Sequence, residues 1–599
     1  MFYLTIVLIP VYNQYYKRHN YGMELKDYFT KNLKPRQNQY EAIRAVAFKE
    51  GTIDEIAAHF EYNPRSLKTI INRLLRGKYQ LFPDVKTGPK GRHTSKQEVS
   101  KIIDLRRKKR LSAKEITEEL KNTDSPVSIR TVERILRDAG FARLCRRTDK
   151  ERGISKKGML LPQRSADLNI GETGPFRIEC QVAGAYLFLP YILESKILDI
   201  VSRCDLPESN SIGKVQASLS MLLLKLIGNE RLSHISQYNT DLGFGIFAGL
   251  NVLPKPGYMC SYSCRTKASK LMEFQKNVIG NFSHMYPDLY KGDTINLDFH
   301  SIPHFGDKSE MEKVWCGARG KALKGANTFF AQDGGSDLLL YANSDIKRKE
   351  SSIEIKKFVD WWFDIKGVTC QTLVFDSKLT RYDILYELDR AGVKFITLKR
   401  RGKNIIDKTR MVPEENWKKY YLPIPKRKHR HVKVYEDKAI LLGNQRPLRQ
   451  ITIKDHGRAE PTFIITNNFD MKVLDILVIY AKRWHIENKL SELVHFFNMN
   501  ALSSPIMIRI HFDLLWTVIA DTLYHLFAKD LRGFEKCRAQ TIFKHFIDMP
   551  GRIEYDGKRF TVKIRKRAAT PILLSVEKLN REIQIPWLGN KPLRIIWTA

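Results

Sequence analysis

From Thr294 onward five apolar segments follow one another: TINLDFHSI, TFFAQD, DLLLYANSD, QTLVFDSKL and VKFITLKRR. Each is short and rich in β-branched and aromatic residues, as strands are. The later ones alternate with SSIEIKKFVDWWFDI and TRYDILYELDRAG, which read as helices. Strands in a run, then strand and helix in alternation, predict an α/β sheet of mixed direction. No other feature restricts the fold as much. An open sheet of this kind also says where to look for chemistry, because functional groups gather at strand ends.

Ahead of the sheet, two stretches carry the same helical punctuation. In residues 40–77, Thr52 and Glu55 form a capping box, Asn63 and Pro64 open a further helix, and Gly77 closes it. That last helix bears Arg65, Lys68 and Arg73. The pattern returns after a Gly, Pro and Lys-rich linker at 84–97: Ser112 and Glu115 form a second box, and Ser128 caps a helix bearing Arg130, Arg134 and Arg137. Two short helices, a tight turn and a basic helix make a helix-turn-helix, and two in tandem predict a bipartite DNA reader. The expected division is 1–83, first helix-turn-helix; 84–145, linker and second helix-turn-helix; 146–290, connector and helical platform. The sheet domain follows at 291–399, a β-rich insertion at 400–470, the sheet domain's second part at 471–550, and a β tail at 551–599.

The chain carries 102 Lys and Arg against 65 Asp and Glu, a net charge of +37. So basic a chain calls for a polyanionic partner, most simply nucleic acid. Among eight cysteines only Cys260 and Cys264 stand close together, and no second pair completes a zinc site. The cysteines therefore read as thiols of a reducing cytosol. The opening MFYLTIVLIPVYN lacks the basic region and cleavage site of a signal peptide. No apolar run reaches the roughly 18 residues of a membrane span. A cytoplasmic, nucleoid-associated protein with no membrane partner is expected.

Three carboxylates stand out. Asp298 lies within the first strand and Asp376 at the end of a later one. Glu487 lies in YAKRWHIENKL, which reads as one helix. At about 100° per residue, Tyr480, Arg483 and Glu487 return to one face of that helix. Two strand aspartates and a helical glutamate suit hard divalent cations, Mg²⁺ or Mn²⁺, which activate a water or hydroxyl and stabilise a leaving phosphodiester oxygen. His300 shares the strand face of Asp298 and could polarise a phosphate. Trp417 lies among basic residues of the insertion, either as a base-stacking platform or as part of its core.

Asp298, Asp376 and a glutamate inside Y-x2-R-x3-E resemble the bacterial insertion-sequence DDE transposases with the Y-R-E-K signature. The likeness extends over roughly 215–575, through GIFAGLNVLPK, LDFHSIPHFGD, FDSKLTRYDIL, FITLKRRGK, RWHIENKL and FFNMNALSS. It implies an RNase H-like catalytic domain with a β insertion between the second aspartate and the glutamate, and the 111 residues from Asp376 to Glu487 have room for one. It further implies Asp298, Asp376 and Glu487 as metal ligands, and Tyr480 and Arg483 on phosphate near the cut. The signature's lysine position is Val494. The implied function is binding of an element's terminal inverted repeats, metal-dependent DNA cleavage and strand transfer, with a homodimer in the synaptic complex and target DNA as second partner. The alternatives are a domesticated DNA-binding protein without catalysis and a two-metal DNA nuclease.

Overall fold

The computed structural model describes residues 34–82, 94–121, 126–142, 144, 166–170, 173–306, 309–351, 353–425, 427–441, 446–502 and 504–599. The apolar opening, most of the 84–97 linker and most of the basic connector lie outside them. The chain forms two compact units, 1–95 and 96–599.

In the first unit, helices α1 (Pro35–Ala47), α2 (Ile53–His59) and α3 (Pro64–Leu75) close on Ala42, Ala45, Ile56, Ala57 and Leu67. The capping box at Thr52 and Glu55 forms as expected. Asn63 accepts the Arg65 N–H at 3.0 Å, and Gly77 turns the chain with φ of +66°. Arg65, Lys68 and Arg73 are exposed on α3.

The second unit opens with the same plan. Helices α4 (Lys96–Lys109), α5 (Ala113–Leu120) and α6 (Ile129–Asp138) bury Ile102, Ile116, Leu120, Val132, Ile135 and Leu136. Ser112 and Glu115 form the second capping box, and Ser128 caps α6. Arg130, Arg134 and Arg137 are exposed. The region expected to be a helical platform contains α7 (Lys214–Leu226) and α8 (Ala268–Met285), but also a strand, β1 (Phe176–Cys180).

The main sheet is built from β2 (Thr294–Pro303), β3 (Lys313–Cys316), β4 (Lys321–Asp333), β5 (Leu339–Asn343), β6 (Thr372–Val374) and β7 (Lys394–Leu398). Helices α9 (Glu354–Lys366) and α10 (Tyr382–Arg390) make the crossovers. Strands β5, β4 and β2 pair antiparallel, while β2, β6 and β7 pair parallel. The 400–470 region holds β8 (Lys418–Tyr421), β9 (His431–Ala439), β10 (Leu448–Lys454) and β11 (Thr462–Thr466). It does not interrupt the sheet, contrary to expectation, but extends it: β11 pairs antiparallel with β7, and β10, β9 and β8 follow in order. Left bare, β7 would present unpaired backbone groups at its edge. Val374, Ile396, Ile451 and Ile464 share one buried cluster across the join.

Beyond the sheet run α11 (Val473–Lys482), α12 (Trp484–His495) and the long α13 (Met507–Asp530). The segment expected to be one helix is divided at Arg483. Its N–H bonds to Tyr480 three residues back, a local tightening in which the backbone stays right-handed. Among the described residues no helix is long and apolar enough to cross a membrane. The tail supplies β12 (Gly551–Tyr555), β13 (Phe560–Arg565), β14 (Ile583–Ile585) and β15 (Lys591–Thr598). These form a second sheet with β1, which pairs with β12. β1 could not be read from its own five residues, because its partner lies at the far end of the chain.

Trp417 belongs to the core of the extension rather than to a stacking surface. It is 7% exposed, its ring is covered by Lys454 Nζ at 4.0 Å from the centroid, and its indole N–H reaches Val412 O at 3.4 Å. Glu414 holds Lys454 in place, and Lys433 beside it. Trp417→Ala should therefore lower stability by about 3–5 kcal/mol, measured by denaturant unfolding. A variant that loses DNA affinity at unchanged stability would return Trp417 to a stacking role.

Candidate functional site

The spacing of the two aspartates has a structural cause. β2 and β6 are parallel neighbours in which Thr294 faces Thr372 and Asn296 faces Val374. The pairing offset of 78 residues is also the separation of Asp298 and Asp376. The paired strand ends at Val374, and the same offset continued two residues further would bring Asp376 toward the level of Asp298. Asp376 stands where the chain leaves the sheet, its Oδ1 accepting the Lys378 N–H at 2.8 Å. The side chain of Asp298 is 16% exposed, and its Oδ1 accepts the N–H of Phe299 at 2.8 Å.

Glu487 reaches this edge because α12 packs on β2 through a stripe of buried residues, Ile486, Leu490 and Leu493. Two polar ties fix the helix. His485 Nδ1 lies 3.1 Å from Asp337, in the turn between β4 and β5. Lys489 Nζ lies 3.1 Å from Glu492 and 3.0 Å from Asp521 of α13. Burial disfavours the charge of Lys489, but Asp521 and Glu492 outweigh it and hold the lysine protonated.

Arg483 bridges the carboxylates. Its Nη2 donates to Glu487 Oε1 at 2.7 Å, and Nη1 lies 3.6 Å from Asp298 Oδ2. Its guanidinium carbon lies 5.9 Å from the centre of the Tyr480 ring. One helical turn separates the two backbones, and the long arginine side chain spans it. Nε and Nη1 of Arg483 are buried without a hydrogen-bond partner. Nη1 is ion-paired with Asp298 at longer than hydrogen-bond distance, so both atoms keep capacity for an anionic acceptor. Burial pushes the Tyr480 phenol up to about 12, so it is a neutral hydrogen-bonding group at physiological pH.

Three carboxylates are the right donors for a hard divalent cation. Among the described residues, however, no three His, Cys, Asp or Glu side chains stand close enough together to hold a metal ion as arranged. With Arg483 on Asp298 and Glu487, the donor set fits in chemistry but needs the guanidinium to move aside.

The remaining expected residues divide. His300 is half-buried and fixed to Asn500 Oδ1 at 2.9 Å, and desolvation holds its pKa below the usual histidine value. It is a neutral ring anchored beside the site. Val494 packs against the core. Lys489 cannot replace the signature lysine, because it is committed to the buried triad. His495 is exposed on the last turn of α12. Arg65, Lys68 and Arg73 belong to the first unit, and Arg130, Arg134 and Arg137 lie on the outer face of α6. Sequence reasoning missed Lys378, whose Nζ lies 5.6 Å from the centre of the Phe299 ring. Its position two residues after Asp376 was the available signal.

Residues 292–523 match the family model described as a transposase DDE domain. The match begins just before β2, ends inside α13, and includes Asp298, Asp376 and Glu487. No curated protein matches the chain. Among solved structures, a piggyBac transposase synaptic complex with hairpin DNA, determined by cryo-EM, aligns with 58% of this chain and 78% of that chain, at 9% identity and a TM-score of 0.31.

Asp298 carries a measurable consequence. Burial pushes its carboxyl up to about 6, Arg483 opposes the rise, and Asp376 and Glu487 reinforce it. Below the ordinary value of 3.8, folded and unfolded chains both hold the proton. As pH rises from 4 to 6 the unfolded chain releases it first, so ionisation costs stability, in full above pH 6. Without divalent cations, Asp298→Asn should be more stable than wild type at pH 8 by at most about 2–3 kcal/mol, at roughly 1.4 kcal/mol per pH unit. The gain should nearly vanish by pH 4. Thermal melts in EDTA decide this; equal gains at both pH values would show that the carboxylate is not desolvated.

Proposed function

We propose that this chain is a DNA transposase that binds the terminal inverted repeats of a mobile element and catalyses metal-dependent cleavage and strand transfer. One observation carries the reading: Arg483 joins Asp298 on β2 to Glu487 on α12, with Asp376 just past the end of the neighbouring strand β6, in a region that matches a transposase DDE domain. The strand order β5-β4-β2-β6-β7, antiparallel then parallel, supports an RNase H-like catalytic domain. The strongly basic chain and its two capped three-helix units, each with a basic last helix, support a tandem helix-turn-helix reader. Action as a homodimer on element and target DNA in the cytoplasm, at the nucleoid, belongs to the same proposal.

Asp298, Asp376 and Glu487 would hold the divalent cations, Mg²⁺ or Mn²⁺. Bound there, such ions supply Lewis-acid activation of the attacking oxygen and stabilisation of the leaving one. The protein's own groups do the positioning. Arg483 exchanges its carboxylates for a phosphate of the DNA end, which meets the two donors, Nε and Nη1, that make no hydrogen bond. Its fork suits that bidentate contact. Tyr480 donates a neutral hydrogen bond beside it. Lys378, exposed two residues after Asp376, adds a cation near that carboxylate.

Asp298→Asn, Asp376→Asn and Glu487→Gln should each abolish Mg²⁺-dependent cleavage of element ends while binding stays within about threefold, since the amide keeps shape and loses charge. Near-wild-type cleavage by any one of them would remove that residue from the set. Strand-transfer products from the wild type separate a transposase from a nuclease.

Arg483→Ala should slow cleavage by about 100-fold at saturating Mg²⁺, with Arg483→Lys restoring only part. Arg483→Ala also frees Asp298 and Glu487, so it should not weaken the response to metal. A titration of cleavage against Mg²⁺ reads both effects; full recovery at high Mg²⁺ would show that Arg483 serves the metal ligands instead.

A further inference from the structure

The three-helix unit at 96–142 is fastened to the catalytic body by a buried ion pair. Arg107 of α4 places Nη2 at 2.8 Å and Nε at 3.3 Å from Glu310 Oε2. The side chain of Glu310 is 2% exposed and that of Arg107 is 17% exposed. The other oxygen of Glu310 accepts the N–H of Met507, the first residue of α13, at 2.6 Å. α13 in turn holds Lys489 of the Glu487 helix through Asp521. Glu310 also lies on the connection out of β2, the strand of Asp298. One carboxylate thus ties α4 directly to α13 and, along the chain, to β2.

Other contacts stiffen the joint. Arg107 lies 3.8 Å from Asp345, and Lys347 lies 3.6 Å from Asp104 of α4. Arg106 donates to Leu111 O at 2.7 Å and to Ala142 O at 2.8 Å, locking α4 to the chain beyond α6. At the end of α6 the backbone of Gly140 lies against Pro505, where a Cβ would come within 2.7 Å of the proline ring. Arg130, Arg134 and Arg137 remain exposed on α6. One side of the unit is consumed by the body, and the basic side is free.

We propose that this second helix-turn-helix is a measuring arm: the buried Arg107–Glu310 pair fixes the number of base pairs between the DNA that α6 reads and the phosphodiester that is cut. The inference rests on the transposase reading above. A buried pair of this kind enforces one geometry, because separating it leaves an uncompensated charge in the interior. DNA advances about 34–36 Å per turn of roughly 10–10.5 base pairs. A tethered reader tolerates ten inserted base pairs, which restore the helical face. A fixed arm tolerates neither five nor ten.

The test uses the full chain and element ends carrying 2, 5 or 10 base pairs inserted between the cut and the α6 subsite, the latter mapped by protection lost in Arg134→Ala. The wild type should either move its cut by the inserted length or lose more than tenfold in cleavage on all three. Arg107→Ala should bind the unaltered end within threefold of wild type but discriminate spacing less than threefold. Glu310→Gln, which keeps the acceptor for Met507, should do the same, so a folding defect in one variant does not decide the matter. Wild-type cleavage at the original bond, within threefold on the 10-base-pair insertion, overturns the arm. Failure to cut even the unaltered end overturns the transposase reading instead. Hydroxyl-radical footprints of the wild type in EDTA then still read the arm: a protected block of constant length supports it, and one that lengthens with the insertion overturns it.

Discussion

A buried cation holds the candidate active site together. Lys489 sits under the Glu487 helix between Glu492 and Asp521, and its side chain is only 10% exposed. A lone ammonium there would be strongly unfavourable; two carboxylates make it tolerable and orient it. The result is a directional bond between α12 and α13 that apolar packing alone could not specify. His485 and Asp337 fix the same helix to the sheet. Glu487, itself 56% exposed, owes its position to these neighbours.

On the sheet side, the constraint is register. Parallel pairing of β2 with β6 carries the chain toward Asp376, and burial disfavours the ionised form of Asp298, an effect that the nearby Asp376 and Glu487 carboxylates reinforce. Arg483 relieves part of that repulsion. The site is therefore electrostatically strained without a cation, and the arginine that eases the strain is also the group with donors to spare.

The extension of the sheet shows how edges shape the architecture. Residues 400–470 read as a separate insertion because they are basic and strand-rich. Their apolar positions instead continue the layer that Val374 and Ile396 begin. Trp417 followed the same logic: its basic neighbours suggested a nucleic-acid surface, yet Lys454 covers its ring and Glu414 holds that lysine in place. Basic residues around an aromatic side chain are ambiguous in sequence, because a lysine can lie on the ring or beside a ligand's phosphate.

Local signals in the sequence were sufficient for whatever depends on near neighbours. Both capping boxes, the Asn63 and Ser128 caps and the glycine stops were legible because each is settled within a few residues. So were the five apolar strands. Tertiary structure decided what depends on distant partners: β1 pairing with β12, the joining of β11 to β7, the tightening at Arg483, the commitment of Lys489 to Asp521, and the docking of Arg107 on Glu310. Periodicity reveals that a face is apolar or charged. Which surface it meets is settled only when segments hundreds of residues apart compete to bury the same area and satisfy the same polar atoms.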